Sequence, residues 1–496
     1  MRDFIVKLVH LLLRLFFRRV EVTGLEHVPE RGGGIVVSWH PNGMIDPALI
    51  FETFPRQVVF GARHGLFKVP ILGAVLRATD TVPIYRAQDM KKGASEAERD
   101  AANQRSLDAL SDAIVDGKFS ALFPEGVSHD APHLMELKTG VARFYYRARQ
   151  RKQEGDPDPV VIPVGLHYDE KRFFRSTVLV AFHPPIELPE ALAITPPEDE
   201  DREVRRARFR AFTDEVERVL REVVHATESW DVHHLMHRAR KLLRAERAAR
   251  AGSLLEKPTM EEKTRAFARI WTGYYQRRET HPAEVEALQR RLTDYDADLR
   301  ALGMDDHEID RPPAIVNVWL GLLLLLQALL VYLFMPPIML VGAIVNLPPA
   351  GILWLVTRWA SKTQKDEASI KILAGALIFP FFWLTAAVLA GWGHSVLHEM
   401  YPAIPDRFVL GGLVTFLLAF AGGAISLRYL HIARDTARAI RVRLTRERRR
   451  LTIVRLKVDR AELYEALTAI GEGLELPGQV MPDGTIGASE AAPYAE

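Results

Sequence analysis

The fold of this chain is decided by the stretch Gly34-Ile35-Val36-Val37-Ser38-Trp39-His40-Pro41-Asn42-Gly43-Met44-Ile45-Asp46. It opens with a short apolar run, rich in β-branched residues, that predicts a buried strand. Pro-Asn-Gly then supplies the residues of a turn, with a histidine just before it and an aspartate shortly after it. A strand that leads into a polar turn of this kind is typical of an α/β sheet.

The same alternation of short apolar runs and helix-length segments extends over residues 20–192. Further strands are predicted at 57–60, 81–84, 120–123, 160–164 and 178–182, and helices at 96–116 and 139–150. We therefore expect an α/β domain, a mixed sheet covered by helices.

The composition changes after residue 192. Residues 193–311 are rich in Arg, Glu and Ala at helical spacing, which predicts charged helices that present solvated faces. Within them, His233, His234 and His237 have a spacing that could bind a metal. A surface helix is the favoured interpretation, because no carboxylate stands in a clear ligand position.

Long uncharged runs predict a membrane section after these helices. Residues 314–357 contain no charged side chain and are long enough for two spans, with a turn expected at Met335-Pro336-Pro337. Residues 372–392 and 408–427 are each about as long as one span. The interpretation is an all-α transmembrane section over 312–430, with about four transmembrane helices.

Basic residues orient these spans. Lys and Arg fill the loop after the second span and the segment after the fourth, whereas residues 393–407 carry little positive charge. Since cytoplasmic loops favour Lys and Arg, we expect an integral membrane protein with both ends, and the α/β domain, on the cytoplasmic face. Residues 431–496 are expected to form a basic helix and a disordered tail.

The first 19 residues are apolar but are interrupted by Lys7, His10 and Arg14. This segment is too short to span hydrocarbon and lacks a cleavage site, which favours an amphipathic helix lying on a membrane surface. The alternative is a helix packed on the domain's own core.

The overall composition excludes several kinds of site. The chain has no cysteine, which rules out disulfides, thiolate metal sites and a cysteine nucleophile. The formal net charge is +2, so charge alone indicates no nucleic-acid partner.

His40 and Asp46 are the candidate catalytic pair. In a continuous helix six residues rotate about 600°, so the two side chains would not share a face and a turn must bring them together. Asp46 would then accept from one imidazole nitrogen and leave the other to take a proton from an alcohol. Taken alone, a histidine and an aspartate at this spacing are more often a capping or surface arrangement.

Candidate anion-binding residues surround this pair in the sequence. Arg86 ends a predicted strand, where a guanidinium could hold a phosphate, and Lys138 opens a predicted helix. Glu125, Gly126 and Ser128 lie on a turn after the strand at 120–123. An ordinary surface arginine and an ordinary helix start are the alternatives for Arg86 and Lys138.

In order and spacing, these motifs resemble those of the glycerolipid (lysophosphatidate-type) acyltransferase superfamily. In that family the first motif is a histidine and an aspartate on one turn, the second ends in arginine, and the third is Phe-Pro-Glu-Gly. The matches here are His40 with Asp46, Arg86, and Phe123-Pro124-Glu125-Gly126. An apolar strand with proline, Val161-Ile162-Pro163-Val164, matches the fourth motif.

Two departures refine the resemblance. Five residues separate His40 from Asp46, where four are commonest in the family, and Val127-Ser128-His129-Asp130 replaces the usual run with arginine. Both features are similar to the branch of dual glycerol-3-phosphate and dihydroxyacetone-phosphate acyltransferases. Without that arginine, the resemblance leaves phosphate binding to Arg86, Lys138 and also Lys68 or His129.

The resemblance implies an O-acyltransferase of phospholipid synthesis. His40 would deprotonate the hydroxyl of glycerol 3-phosphate or dihydroxyacetone phosphate, which attacks an acyl thioester, and Asp46 would fix the imidazole tautomer. The expected partners are acyl-CoA or acyl carrier protein, the phosphorylated acceptor and the lipid bilayer, with no bound cofactor or metal. The alternatives are a 1-acylglycerol-3-phosphate or other lysophospholipid acyltransferase, and a non-catalytic membrane scaffold.

Overall fold

The central element of the N-terminal domain is a buried strand, β2 (Gly34–Ser38). The computed structural model describes residues 2–488, except 86–95, 198, 253–256, 311–317, 362 and 482–483. Within these residues β2 belongs to a seven-stranded sheet. The other strands are β1 (Arg19–Thr23), β3 (Val58–Arg63), β4 (Val82–Ile84), β5 (Phe119–Leu122), β6 (Val160–Tyr168) and β7 (Thr177–Phe182).

The order of the strands is β1-β7-β6-β2-β5-β3-β4. The β6–β7 pair is antiparallel and all other pairs are parallel, so the sheet is mixed, as expected. Its central strands are buried on both faces, which is why they read as continuous apolar runs rather than as alternating ones. β1 was not predicted, although its alternation of polar and apolar residues, Arg-Val-Glu-Val-Thr, is the pattern of a half-buried edge strand.

Helices cover both faces of the sheet. They are α1 (Arg2–Phe16), α2 (Ile45–Thr53), α3 (Pro70–Ala78), α4 (Glu96–Val115), α5 (Gly140–Arg151), α6 (Glu190–Ala193) and α7 (Arg202–Val223). Residues of α4, α5 and α7 form the core on one face, and residues of α1 and α2 form the core on the other.

Helix α1 has two different faces. Leu13 and Phe16 are buried in the core of the domain, whereas Phe4 and Leu11 are exposed. One face of α1 therefore packs on the domain's own core, as in the alternative interpretation of this segment. The membrane-surface role of the exposed face stays a prediction.

The charged helices pack against one another and bury part of their charged side chains. After α7 come α8 (Trp230–Ala251), α9 (Met260–Thr280) and α10 (Pro282–Leu302), which pack together with α15 (Arg450–Ile470). Arg460, only 2% exposed, donates from Nε to Glu246 Oε2 at 2.8 Å. The expected solvated face holds for charges such as Arg218, which is 54% exposed, whereas other charges pair with one another across helix interfaces.

The expected surface position of the α8 histidines is wrong for two of them. The ring of His237 lies 4.5 Å from that of Phe267, and its Nε2 lies 3.2 Å from Nε2 of His233. Among the described residues, no group of three or more His, Cys, Asp or Glu side chains is arranged to hold a metal ion.

The segment after Gly473, expected to be disordered, is ordered over residues 474–481 and 484–488. It forms a small hairpin of β8 (Gln479–Val480) and β9 (Ile486–Gly487). Arg269 of α9 donates to the carbonyl oxygens of Pro477 and Gly478, at 3.0 and 2.5 Å. These bonds hold a segment whose own composition predicts no structure.

Apolar helices occupy the part of the chain that the sequence predicts to be a membrane section. They are α11 (Val318–Leu329), a π-helical turn (Leu330–Phe334), α12 (Met335–Ala360), α13 (Gln364–Met400) and α14 (Phe408–Arg448). In the described part of the chain, α13 and α14 are the two helices long and apolar enough to cross a membrane.

The turn expected at Met335-Pro336-Pro337 does not form. Phe334 and Met335 have helical backbone angles, so the helix continues through the proline pair. Prolines are tolerated at the first positions of a helix, where no N–H is needed for an intrahelical bond. The helix therefore has no break at Met335-Pro336-Pro337 that would divide residues 314–357 into two spans.

Instead, α12 bends further along, at Pro348-Pro349. Its first half runs antiparallel to α14, since Gly342 lies against Gly422, and Gln327 of α11 reaches Thr436. Its second half runs antiparallel to α13, where Leu353 contacts Gly375. Because α13 and α14 are antiparallel to each other, the two halves of α12 run in opposite directions. Two successive prolines, which lack N–H donors, account for the bend.

Candidate active site

The turn after β2 brings His40 and Asp46 together. Asp46 is the second residue of α2, and its Oδ2 lies 2.8 Å from Nδ1 of His40. The carboxylate is completely buried, whereas the histidine side chain is 18% exposed. Since a carboxylate accepts, Nδ1 carries the proton and Nε2 is left as the basic nitrogen.

Other donors hold the Asp46 carboxylate in place. The backbone N–H of Asn42 donates to Oδ2 at 2.7 Å, and the Tyr168 hydroxyl donates to Oδ1. Burial, and next the negative charge of Asp46, raise the pKa of Tyr168 well above its ordinary value, so the phenol stays protonated. The imidazole itself stacks on Phe123, with ring centroids 4.2 Å apart.

Glu125 points inward. Only 3% exposed, it accepts from the backbone N–H of His40 at 2.9 Å and from that of Met135 at 2.9 Å. His129 Nε2 lies 2.6 Å from Oε1 of the same carboxylate. Both oxygens thus hold the turn that carries His40, and the substrate-binding role of Glu125 stays a prediction.

His129 is engaged with its own loop. Its Nδ1 accepts from the N–H of Ala131 at 3.2 Å, so Nε2 carries the proton that is donated to Glu125. The ring is also buried, and its role as a phosphate ligand stays a prediction.

The rest of the Pro-Glu-Gly turn lies nearer the surface. Gly126 is exposed and has φ +67°, a left-handed conformation that glycine adopts without strain, and its N–H donates to the Phe123 carbonyl at 2.9 Å. Ser128 is half-buried, and its carbonyl oxygen accepts from Lys365 Nζ. The substrate-binding role of both residues stays a prediction.

The predicted phosphate ligands differ in placement. Lys138 is exposed beside Gly126, with Nζ 3.1 Å from Glu136 Oε2. Lys68 is exposed at the end of a 3₁₀ turn (His64–Lys68) that comes after β3. Arg86 lies outside the described residues, so its role stays a prediction.

Several residues at this site were not predicted from the sequence. Tyr168 lies four residues after the strand that matches the fourth motif, but its bond to Asp46 spans 122 positions. Lys171 donates to the carbonyl of Pro41 at 3.0 Å and lies 2.8 Å from Asp130 Oδ1. Of these two residues, only Tyr168 stands close to a motif that the sequence shows.

Chemically, the arrangement is suited to act as a general base. A buried carboxylate orients an imidazole whose second nitrogen has no hydrogen-bond partner within the described residues. Such a pair can remove a proton from a hydroxyl and stabilise the imidazolium that forms.

Comparison with known proteins finds that two parts of the chain match acyltransferase family models. A family model described as "Acyltransferase" matches residues 19–167, which include the complete His40–Asp46 turn. A second, described as "Glycerol-3-phosphate acyltransferase 2 C-terminal domain", matches residues 235–475. Residues 19–167 are therefore similar to the acyltransferase family. The second match covers most of the α8–α15 region.

Two curated relatives are similar to parts of this chain. Glycerol-3-phosphate O-acyltransferase 1 of Saccharomyces cerevisiae is 25% identical over 289 residues, which are 58% of this chain and 35% of the relative. Glycerol-3-phosphate O-acyltransferase 2 of the same yeast is 40% identical over 67 residues, 13% of this chain and 8% of its own. The acyltransferase thus spans about a third of the length of the first of these relatives.

A solved structure is a looser match. The 1-acyl-sn-glycerophosphate acyltransferase of Thermotoga maritima shares 20% identity, and the alignment covers 44% of this chain and 81% of that one, with a TM-score of 0.28. Roles for individual residues are therefore taken from the geometry of this acyltransferase alone.

Proposed function

We propose that this acyltransferase moves a fatty acyl group from an acyl thioester to the hydroxyl of glycerol 3-phosphate or dihydroxyacetone phosphate. The observation that carries the proposal is the 2.8 Å contact between His40 and the buried Asp46, beside the Pro-Glu-Gly turn. The acyl donor is proposed to be acyl-CoA or acyl carrier protein. The product would be a single-chain phospholipid precursor.

The proposed reaction balances without a covalent enzyme intermediate. Nε2 of His40 takes the proton of the acceptor hydroxyl, and the oxygen attacks the thioester carbonyl. The carbon–oxygen bond forms, the carbon–sulfur bond breaks, and the departing thiolate receives the proton from the imidazolium. Asp46 stabilises the imidazolium charge between the two proton transfers.

The acceptor's phosphate is proposed to bind Arg86 and the exposed Lys138. Lys138 lies next to the Gly126 turn, on the side of the site where the backbone is open to solvent. A cation there attracts the phosphate dianion without competing with Glu125, which is buried and committed to backbone donors.

We also propose that the reaction takes place at the cytoplasmic face of a membrane. α13 and α14 supply two bilayer-length helices, and basic residues crowd the C-terminal half of α14. A lipid product can then pass from the site into the bilayer directly.

The test is incorporation of label by the full-length protein in membranes. Membranes are offered radiolabelled glycerol 3-phosphate, dihydroxyacetone phosphate or lysophosphatidate, each with acyl-CoA or acyl carrier protein thioester. We expect incorporation with glycerol 3-phosphate or dihydroxyacetone phosphate, and its loss in His40→Ala. His281→Ala, at an exposed histidine between α9 and α10, is the control and should retain activity.

Other outcomes of the incorporation experiment would contradict the proposed function. Incorporation with lysophosphatidate alone would assign the chain to lysophospholipid acylation instead. Activity that survives His40→Ala would contradict the proposed base. No incorporation with any donor and acceptor would favour a membrane scaffold.

A further inference from the structure

The first turns of α13 pack directly on the catalytic turn, more than 300 positions away in sequence. Ser369 Oγ accepts the backbone N–H of Met44 at 3.1 Å, and Ala368 is fully buried in the core of the sheet domain. Gly43 has φ +48°, and a Cβ there would lie 3.2 Å from both the Lys365 carbonyl and Ser369 Oγ. Helix and turn are therefore in close contact, and a side chain at residue 43 would press on α13.

The bond from Met44 matters because this residue leads directly into α2. Met44 is the N-cap residue of α2, and Asp46 lies in the first turn of that helix. The first N–H groups of a helix have no intrahelical partner and need acceptors from elsewhere. No side chain of the cap residue supplies one here, and Ser369 does so from α13.

A second contact joins α13 to the loop after the Pro-Glu-Gly turn. Lys365 donates from Nζ to the Ser128 carbonyl and from its backbone N–H to Asp130 Oδ2 at 3.3 Å. The Asp130 carboxylate thus lies at the N-terminal, electropositive end of α13. Through Lys171, the same carboxylate is linked to the Pro41 carbonyl, beside His40.

We propose that Ser369 and Lys365 are positioning residues for acyl transfer, which fix the His40–Asp46 turn on a bilayer-length helix. The inference rests on the proposed function, since it concerns the rate of that reaction. α13 has 37 residues, about 55 Å of helix, which exceeds the thickness of a hydrocarbon core by several turns. The excess at its N-terminal end is the part that contacts the catalytic turn.

The decisive variant is Ser369→Ala in the full-length protein in membranes. It removes one hydroxyl from the interface, and we expect kcat to fall about tenfold while KM for both substrates is unchanged. Ser369→Thr, which keeps a hydroxyl at this position, should restore most of the rate. The matched control is Thr385→Ala, because the Thr385 hydroxyl is exposed on α13 and donates only to Phe381 of its own helix.

The outcomes separate this inference from the proposed function. If the wild type is inactive with every substrate, the proposed function fails first. If the wild type is active and Ser369→Ala keeps its kcat, the positioning role is refuted. A loss of kcat that merely accompanies a lower unfolding temperature, or that Thr385→Ala reproduces, also refutes it.

Lys365→Met provides a second measurement should Ser369→Ala fail to fold. It removes the Nζ bond to Ser128 and leaves the backbone bond to Asp130 in place. We expect a several-fold lower kcat with unchanged KM. A normal kcat in folded Lys365→Met would contradict the inference independently.

Discussion

At the scale of single residues, the Asp46 carboxylate is held by hydrogen bonds from three different kinds of donor: an imidazole, a backbone amide and a phenol. Because its charge is fully buried, each donor offsets part of the cost of removing it from water. The imidazole is therefore held in one tautomer and one orientation before any substrate arrives.

Tyr168→Phe tests the contribution of the phenol. Removing its hydroxyl leaves Asp46 Oδ1 without that donor, so the buried carboxylate orients His40 less well. We expect kcat to fall about tenfold, with KM nearly unchanged. Steady-state kinetics measure this, with Tyr146→Phe as control, since the Tyr146 hydroxyl donates to Leu192 away from the site. Equal kinetics for the two variants would contradict the role of Tyr168.

Glu125→Gln tests the inward carboxylate. An amide in this position cannot accept from all the donors that face Glu125, so at least one of them is left buried and unpaired. We expect the free energy of unfolding to fall by about 2 kcal/mol, measured by denaturant titration, together with a lower kcat. Glu154→Gln, at an exposed position, should change neither quantity. A fully stable Glu125→Gln would show that Glu125 does not hold the turn.

At the scale of elements, histidines lie where the sheet meets the helices that follow it. The ring of His167 in β6 is 5.5 Å from that of His225, after α7, which is 5.9 Å from the ring of Phe267 in α9. His183, just after β7, is 5% exposed, and burial lowers its pKa to about 3, with further contributions from His167 and His27. Burial likewise lowers the pKa of His167 in β6 and of His233 in α8 to about 4. The interface is therefore built on neutral imidazoles.

The lowered pKa values of these histidines determine how stability changes with pH. The histidines protonate near pH 6.5 in the unfolded chain and only well below it in the folded chain, so between these values the unfolded state binds more protons. The stabilisation is fully present above about pH 6.5 and is lost as the pH falls toward 4. For His183 alone we expect a loss of about 2 kcal/mol between pH 7 and pH 5.

Unfolding experiments at these two pH values check the prediction. His183→Gln should reduce the difference in stability between pH 7 and pH 5, whereas His281→Gln, at an exposed position, should leave it unchanged. A pH dependence that is the same in both variants would show that His183 is not buried as a neutral group.

At the scale of the whole molecule, we expect the bend in α12 to determine how the chain would pass through a membrane. Its two halves run in opposite directions, so α11 and α12 would enter and leave on one face, while α13 and α14 would cross. We therefore predict two crossings instead of four, with the α/β domain and the C-terminal helices on the same side.

The absence of native cysteine makes this directly testable. Single cysteines at Phe334, Ser361, Ala403 and Glu472 are to be labelled with a membrane-impermeant maleimide in sealed vesicles of known orientation. We expect Ala403→Cys to be labelled from one side, and Ser361→Cys and Glu472→Cys from the other. Labelling of Phe334→Cys from the same side as Ala403→Cys would contradict two crossings and support four.

The sequence alone predicted those features that depend on neighbouring residues. Apolar runs located six strands of the mixed sheet, and the Pro-Asn-Gly turn predicted that His40 and Asp46 meet, because a short turn has few ways to place two residues at its ends. The uncharged runs likewise located α13 and α14, since length and charge decide whether a helix suits hydrocarbon.

Only the tertiary structure decided the features that join distant segments. Whether Glu125 faces a substrate or the core depends on the donors of His40 and Met135, and no local pattern records them. The same holds for Ser369 at Met44, for the choice of Pro348-Pro349 over Pro336-Pro337 as the bend, and for charged helices that bury their ion pairs. Each depends on which surfaces come into contact, and contact is decided by the packing of the complete chain.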